Sequence, residues 1–273
     1  MDPLTHATGS LPPPAGQAVQ AGTYFRDVGP KLVAGWHTHD LHLLEYAFEG
    51  VVEVETATAR YFLPPQQAVW IPAGAEHNST LTGVKAVAAF FAPAMGLPAG
   101  DRVRILAVPP VIREMILYAK RWPIGRTSRD PMADAFFNAL GCLVMEWLDC
   151  EEPLCLPTSR DPLISAVMDY TSEHLADVTL SALCAAVRTP ERTLRRAFLG
   201  ATGMSWRQYL LQSRLLKAMA LLAEDEQNVL AIALAVGFES VSAFTRAFGR
   251  LTGETPTAYR RRIRAGRAAT ATA

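Results

Sequence analysis

Six polar side chains in the C-terminal third of the sequence are suited to contact with a DNA duplex. They are Arg192, Arg195, Arg196, Ser242, Thr245 and Arg246. Serine and threonine hydroxyls can hydrogen-bond to base edges or phosphates, and an arginine guanidinium can bind a guanine through two hydrogen bonds in the major groove. We therefore predict that these residues read DNA, three from each of two short helices.

The second set of three lies in a segment, residues 229–260, with the layout of a helix-turn-helix. A short helix with a buried face is predicted by Val229, Ile232, Ala233 and Val236. Gly237 ends it, because glycine accepts the left-handed backbone of a tight turn. Phe238, Phe244 and Phe248 can then anchor a second helix, which leaves the polar side chains outside. The alternative is an ordinary helical hairpin with a solvated basic face, and the complete pattern favours DNA reading.

A weaker copy of this unit lies upstream. Thr189 is predicted to cap its second helix, with Pro190 and Glu191 in the first turn. Leu194 and Phe198 are spaced to face inward, so the three arginines are free to meet DNA. Residues 205–224, between the two units, predict one helix of roughly 30 Å. That length is near the roughly 34 Å between successive major-groove segments on one face of a duplex.

The first half of the chain has a different texture. Residues 21–92 contain short β-rich runs broken by glycine and proline, which indicates a small antiparallel barrel or sandwich. Residues 108–122 and 131–149 predict two helices with apolar stripes. Such a stripe packs inside its own chain or forms an interface. Residues 150–162, acidic and proline-containing, are predicted to be a linker.

Composition limits the class of protein. The 26 basic and 26 acidic residues balance, but from Arg160 onward there are 15 against 10 (+5), which leaves 11 against 16 (−5) before it. This asymmetry favours phosphate binding by the C-terminal part. Cys142, Cys150, Cys155 and Cys184 lack zinc or C-x-x-C spacing, so buried free thiols are predicted. We expect a cytoplasmic protein without a membrane span or signal peptide.

On these residues, 162–264 resembles the DNA-binding domain of the AraC/XylS family of transcription regulators, which carries two helix-turn-helix units joined by a long helix. The second unit matches closely, through GF-x-S-x-S-x-F-x-R-x-F and T-P-x-x-Y-R. The first departs from the pattern, with Arg188 in place of the usual turn glycine and Pro190 in place of the usual serine. The resemblance assigns DNA contact to the six residues above and sequence choice mainly to the first unit.

Residues 36–50 and 63–79 resemble the paired motifs of the cupin barrel, the effector domain of many such regulators. The resemblance implies that His37, His39 and His77 share a pocket, in which cupin enzymes hold a divalent metal. Leu43 occupies the usual glutamate position, and Glu45 has the strand parity to replace it. His42 is predicted to face outward. The histidines are relics, pocket-lining groups or metal ligands, and the predicted effector pocket also includes Trp36, Phe48 and Trp70.

The predicted fold is α+β, with a cupin-like β-barrel, a helical connector and an all-α C-terminal domain with two helix-turn-helix units. The predicted boundaries are a disordered leader (1–20), barrel (21–95), connector and possible dimer region (96–155), DNA-binding domain (156–265) and disordered tail (266–273). The predicted function is a DNA-binding transcription regulator, not an enzyme, controlled by a small-molecule or metal effector.

The expected partners are operator or promoter DNA, the effector, a second copy of the chain in a homodimer and, for an activator, RNA polymerase. No membrane partner is expected. Two other classes of protein share part of this pattern. A cupin-type metal-dependent enzyme with an appended helical module would bind iron, manganese or nickel tightly. A helical protein-interaction scaffold would show no salt-dependent affinity for DNA.

Overall fold

The computed structural model describes residues 20–97, 100–149, 151–224 and 227–271, which form a mixed α/β protein. The chain divides into two compact units. The first comprises the residues up to Phe48 together with Gln66–Glu152, and the second comprises Glu49–Pro65 and Pro153–Ala273. The second unit thus includes a short segment from the predicted barrel region, and the predicted domain boundaries stay predictions. The predicted leader lies outside the described residues except for Gln20.

Within the described residues, eight strands form an antiparallel sheet. They are β1 (Ala21–Asp27), β2 (Leu32–His37), β3 (His42–Glu55), β4 (Ala59–Leu63), β5 (Gln67–Ile71), β6 (His77–Phe91), β7 (Arg104–Ala107) and β8 (Cys155–Pro157). In the first unit, β6 pairs with β1 and β2, while β5 pairs with β3 and β7. The predicted antiparallel strands are confirmed. The pairings among the described residues leave the sheet open rather than closing it into a ring.

Helices α1 (Pro110–Ala119) and α2 (Pro131–Trp147) complete the first unit, within the two ranges predicted to be helical. Asp130 begins α2, because its side chain accepts hydrogen bonds from the backbone N–H groups of Met132 and Ala133. Trp122 also donates its indole N–H to Asp130, at 2.7 Å. The helices and the sheet share one apolar core, which includes Tyr46, Trp70, Phe91, Ile116, Trp122, Phe137 and Leu140.

The described part of the second unit contains a β-hairpin and seven helices. Strand β4 pairs with the end of β3 and with β8, so the predicted linker contributes a short strand. The helices are α3 (Pro162–Glu173), α4 (Leu180–Ala186), α5 (Glu191–Thr202), α6 (Trp206–Glu224), α7 (Val229–Ala235), α8 (Val241–Thr252) and α9 (Pro256–Ala271). Gln212 on α6 donates to the carbonyls of Pro153 and Cys155, at 3.0 and 2.7 Å, and so ties the segment around β8 to the helices.

The seven helices contain a structural repeat. Helix α4 corresponds to α7 after 49 positions and α5 to α8 after 50, as their first residues show. The contacts repeat as well. Phe198 packs edge-on against Tyr209 with centroids 5.4 Å apart, and Phe248 packs in the same way against Tyr259 at 5.5 Å. Two closely similar helix-turn-helix units are therefore present.

Helix α9 continues to Ala271, through most of the segment predicted to be a disordered tail. Alanine, the residue with the highest helix propensity, is the most frequent residue in this stretch, which accounts for the difference. The last two residues lie outside the described part of the chain. Across the helices that the structure describes, none combines the length and the apolar character needed to span a lipid bilayer.

Candidate nucleic-acid interface and candidate ligand pocket

Helix α8 presents the polar residues predicted to read DNA. Ser240 begins the helix by accepting a hydrogen bond from the backbone N–H of Ala243 at 3.2 Å. Its hydroxyl also lies 3.3 Å from that of Ser242. Phe244 and Phe248 are fully buried, as predicted, and hold one side of the helix to the unit. The other side leaves Ser242 and Arg246 exposed and Thr245 half-buried.

Helix α5 presents the three predicted arginines. Leu194 and Phe198 are buried, whereas Arg192, Arg195 and Arg196 are exposed. Arg195 forms an ion pair with Glu191 one turn earlier, with 2.6 Å between nitrogen and oxygen, so this guanidinium already has one acidic partner. The residues on α5 and α8 form equivalent pairs across the repeat, since Arg196 and Arg246 each lie five positions after the first residue of their helix.

The start of α5 corrects one prediction. Pro190, not Thr189, is the N-cap residue, and the helix end has no side-chain cap. The Thr189 hydroxyl instead donates to the carbonyl of Val187 at 3.1 Å. Proline has no side-chain oxygen to accept a hydrogen bond, so this helix begins without the hydroxyl cap that Ser240 gives to α8.

The turns of the two units differ in side chain but share a backbone conformation. Arg188 has φ of +50° and Gly237 has φ of +88°, and each lies two residues beyond the last residue of the helix that precedes it. The sequence left the conformation of the first turn open. It is left-handed, and Arg188 adopts it with its side chain in solvent.

Three histidine rings come together in the first unit, as predicted. The ring centroid of His77 lies 4.3 Å from that of His37 and 5.1 Å from that of His39. The Nδ1 atoms lie 2.8, 2.5 and 2.8 Å from the backbone carbonyls of Gly35, Leu41 and Ala75, for His37, His39 and His77 in that order. Because a carbonyl only accepts, each Nδ1 carries the proton, and each Nε2 of a neutral ring is an acceptor.

Burial favours the neutral form of His39 and His77. It lowers the pKa of His77 to about 4; the neighbouring His37 acts in the same direction, and the hydrogen bond to Ala75 opposes the shift. Burial also lowers the pKa of His39. The Nε2 atom of His39 is buried and has no hydrogen-bond partner among the residues described. Such an atom stays unsatisfied until a donor or a cation reaches it.

A small cavity of about 80 Å³ adjoins the three rings. It is lined by Arg26, Ala34, His37, His39, Leu43, Glu45, His77, Ser79, Leu81 and Phe90. Glu45 is buried, and its carboxylate oxygen lies 3.1 Å from Nε of Arg26. The predicted lining by Trp36, Phe48 and Trp70 is wrong. Trp36 is 51% exposed on the surface, and the other two aromatic rings lie in the apolar core.

The prediction that His42 faces outward is also wrong. Its ring is buried, stacks on Trp70 with centroids 5.6 Å apart, and accepts a hydrogen bond from the backbone N–H of Ala73 at 2.9 Å. His39, predicted on the same strand as His37, lies in the turn after β2 ends. Strand parity fails here because the chain leaves the β2 strand before His39 and re-enters the sheet at β3.

The cysteines and the possible metal ligands are reported for the described residues only. Cys142 is exposed, while Cys155 and Cys184 are partly buried. These three thiols form no disulfide, as predicted, but the predicted burial is wrong for Cys142. Cys150 lies outside the described residues. Within residues 20–97, 100–149, 151–224 and 227–271, no group of three or more His, Cys, Asp or Glu side chains is arranged to hold a metal ion.

Comparisons with known proteins bear on the helical half. Residues 183–262 match the family model described as "Helix-turn-helix domain". The HTH-type transcriptional regulator NimR of Escherichia coli (strain K12) is 27% identical over 235 residues, 85% of this chain and 84% of NimR. The HTH-type transcriptional activator RhaR of Salmonella dublin is 33% identical over 140 residues, and the alignment covers 49% of each protein.

This chain is a transcriptional regulator with a helix-turn-helix DNA-binding domain, homologous to NimR and RhaR. Among solved structures, the DNA-binding domain of the global transcriptional factor AdpA, in complex with a target DNA, is 33% identical, with a TM-score of 0.36. The match covers 37% of this chain and 93% of the AdpA chain. The relatives are named as regulators or activators, so the prediction that the protein is not an enzyme is confirmed, and the metal-enzyme alternative is not favoured.

Sequence reasoning missed two residues at these sites of the regulator. Arg26, on β1, joins the pocket only through antiparallel pairing of β1 with β6, where it lies opposite Ala86. Ser240 was noted only as part of the signature, although a serine followed by an apolar helical pattern is the usual N-cap signal. The second residue could therefore have been found from the sequence, and the first could not.

Proposed function

We propose that the regulator binds an operator with two half-sites, reading one with α5 and the other with α8. The repeat supports this proposal, because Arg196 and Arg246 are exposed at equivalent positions of two similar units. In such a complex, each arginine can bind a guanine in the major groove, while Arg192, Arg195, Ser242 and Thr245 bind neighbouring bases or phosphates. The first helix-turn-helix unit contributes more to the choice of DNA sequence, since it presents three arginines.

A binding selection with random DNA, followed by single substitutions, tests this assignment. Arg196→Ala and Arg246→Ala are each expected to cost about 1 to 3 kcal/mol in specific binding and to relax the preference at one base position. Lys31→Ala is the matched control, because it removes one exposed positive charge from the first compact unit, outside both helix-turn-helix units. Unchanged sequence preference in both arginine variants would reject the assignment.

The second part of the proposal is that the three-histidine cavity binds the effector, within a domain that we propose to be cupin-like. The cavity offers accepting Nε2 atoms beside the Arg26–Glu45 ion pair. A small molecule with N–H or O–H donors and a size near 80 Å³ is the favoured ligand class. A divalent metal is the second candidate, since neutral imidazole nitrogens also bind metals, although no metal-holding group is found among the described residues.

Ligand-induced stabilisation of the full chain tests the cavity. A panel of small polar molecules and divalent metals is screened by thermal unfolding, and a ligand at 100 times its Kd should add about 2.7 kcal/mol of stability. The effect should vanish in His39→Gln and persist in His174→Gln, an exposed histidine on the other unit. Ligand stabilisation that survives in His39→Gln would show that the effector binds elsewhere.

The proposal includes a homodimer formed through α2. This helix exposes Met132 at 68% and Leu143 at 37%, although its opposite face packs in the core. Leu143→Glu should shift the sedimentation of the full chain from dimer to monomer, whereas Val111→Glu on α1 should not.

We further propose that the regulator acts in the cytoplasm as an activator that contacts RNA polymerase, as the activator name of its RhaR relatives suggests.

A further inference from the structure

Arg214 lies on helix α6, between the two helix-turn-helix units, and bonds to the main chain of both. Its Nε and Nη2 donate to the carbonyls of Leu175 and Ala176, at 2.9 and 3.0 Å. Its Nη1 donates to the carbonyl of Gly237 at 2.9 Å. Leu175 and Ala176 follow α3, which contacts α4 and α5, whereas Gly237 lies in the turn between α7 and α8. One guanidinium thus joins the first helix-turn-helix unit, the connecting helix α6 and the second helix-turn-helix unit.

The chemistry of this contact is specific to arginine. A guanidinium presents five N–H donors in a rigid planar fork, so three of its nitrogens can serve three fixed carbonyls at once. The donors carry positive charge, which strengthens each hydrogen bond. Burial lowers the pKa of Arg214, and Asp177, close in sequence to the accepting carbonyls, opposes that shift. A lysine ammonium in the same place has a single nitrogen and could not reach all three acceptors in this geometry.

The contact with Gly237 is close enough to exclude any side chain. A Cβ atom at this position would lie 2.2 Å from the carbonyl oxygen of Ala176 and 2.7 Å from Cζ of Arg214. Backbone conformation alone does not require glycine in this turn, because Arg188 has a positive φ at the equivalent position of the first unit. The additional demand for glycine arises from the direct approach of the second turn to the chain after α3.

We propose that Arg214 is a positioning residue that fixes the separation and rotation between α5 and α8, and thereby the half-site spacing that the regulator accepts. The inference rests on the two-half-site binding proposed above. Two linked DNA-binding units increase each other's affinity only when both can bind their half-sites at the same time. One inserted base pair displaces the second half-site by about 3.4 Å along the duplex and also rotates it. Two helix-turn-helix units held in a fixed arrangement should therefore bind the lengthened operator more weakly than the native one.

The test uses the full chain and the operator that the wild-type protein selects. Affinity is measured for the selected site, for the same site with one inserted base pair, and for each half-site alone. Arg214→Met removes all three donors, and Lys217→Met on the same helix is the matched control for loss of a positive charge at an exposed position. Arg214→Lys keeps the charge and the stem, and it carries the test if circular dichroism shows that the Met variant is unfolded.

The expected result is that Arg214→Met lowers affinity for the selected site about tenfold or more, while affinity for each half-site alone is unchanged. The ratio between native and lengthened spacing should fall toward one, with Arg214→Lys intermediate and Lys217→Met like wild type. A folded Arg214 variant with the wild-type spacing ratio would overturn the proposal, as would an equal loss on single half-sites. A wild-type protein that selects only one half-site would overturn this inference together with the proposed two-half-site function.

Discussion

Arg188 holds a left-handed backbone, with φ of +50°, that ordinarily belongs to glycine. A side chain in this region costs about 1 to 2 kcal/mol because its Cβ approaches the following carbonyl oxygen. The Arg188 side chain is exposed, so its loss removes no buried contact.

We expect Arg188→Gly to raise the free energy of unfolding by about 1 kcal/mol, since glycine relieves the strain but makes the unfolded chain more flexible. Urea denaturation of the full chain measures this change. Arg188→Ala is the control, because it removes the same charge while it keeps the Cβ atom. Equal stability of the two variants would show that backbone strain is not the cause.

His77 makes the stability of the first compact unit, which contains the sheet and helices α1 and α2, depend on pH. Its pKa is about 4 in the folded protein, against an ordinary value of 6.5. Above about pH 7 the ring is neutral in both states and contributes no pH dependence. As the pH falls from 6.5 to 4, the unfolded chain binds a proton that the folded chain does not, so stability falls. Below pH 4 the effect levels off.

We expect this histidine alone to remove about 3 kcal/mol of stability between pH 7 and pH 4. Urea midpoints at pH 7.5 and pH 4.5 measure the loss, which should be smaller in His77→Gln. His174→Gln, an exposed histidine, should keep the wild-type pH slope. The same slope in all three proteins would contradict the assignment to the buried ring.

Residue-level prediction from the sequence succeeded where the signal was local. The positions of Leu194, Phe198, Phe244 and Phe248 on their helices were predicted from helical spacing, because one turn of helix fixes which side each residue occupies. For His42 the same kind of argument failed. Its burial depends on contacts with Trp70 and Ala73, about 30 positions away in the sequence, and parity along one strand carries no information about those.

The second helix-turn-helix unit has glycine at two places for different reasons. Gly253, after α8, has φ of +74° and open space around a hypothetical Cβ atom, whereas Gly237 has both a positive φ and a close carbonyl oxygen. Gly253→Ala should therefore cost about 1 kcal/mol of stability, and Gly237→Ala about 2 to 4 kcal/mol, since overlap adds to strain. Thermal unfolding of the two variants measures the difference, and equal costs would contradict the close approach.

The elements themselves were largely predictable. Apolar residues every three or four positions gave α1, α2 and the helices of both units, with ends within a few residues of those observed. The assignment of Glu49–Pro65 to the second compact unit was not foreseen. It depends on pairing of β4 with β8 across nearly a hundred residues, and no local pattern encodes such a pairing.

Neutrality of the whole molecule does not make its DNA binding independent of salt. The positive charge is concentrated after Arg160, and the candidate arginines of α5 and α8 are exposed. Each phosphate that is neutralised releases counterions, so the logarithm of affinity falls with the logarithm of salt concentration.

For four to six phosphate contacts the slope should lie between about −3.5 and −5.5, and replacement of one phosphate-binding arginine should reduce it by about 1. Fluorescence anisotropy between 50 and 300 mM salt, roughly the range in which such slopes are resolved, measures it. A flat profile would identify the helical half as a protein-interaction scaffold instead.

The repeat of about 50 residues in the helical half also decides which residues each turn can accept. The two copies share the same packing, down to the Phe198–Tyr209 and Phe248–Tyr259 ring pairs. The second turn meets Ala176 and Arg214 and holds a glycine, whereas the first turn holds Arg188. A side chain is thus accommodated where the turn faces solvent and excluded where the two copies touch.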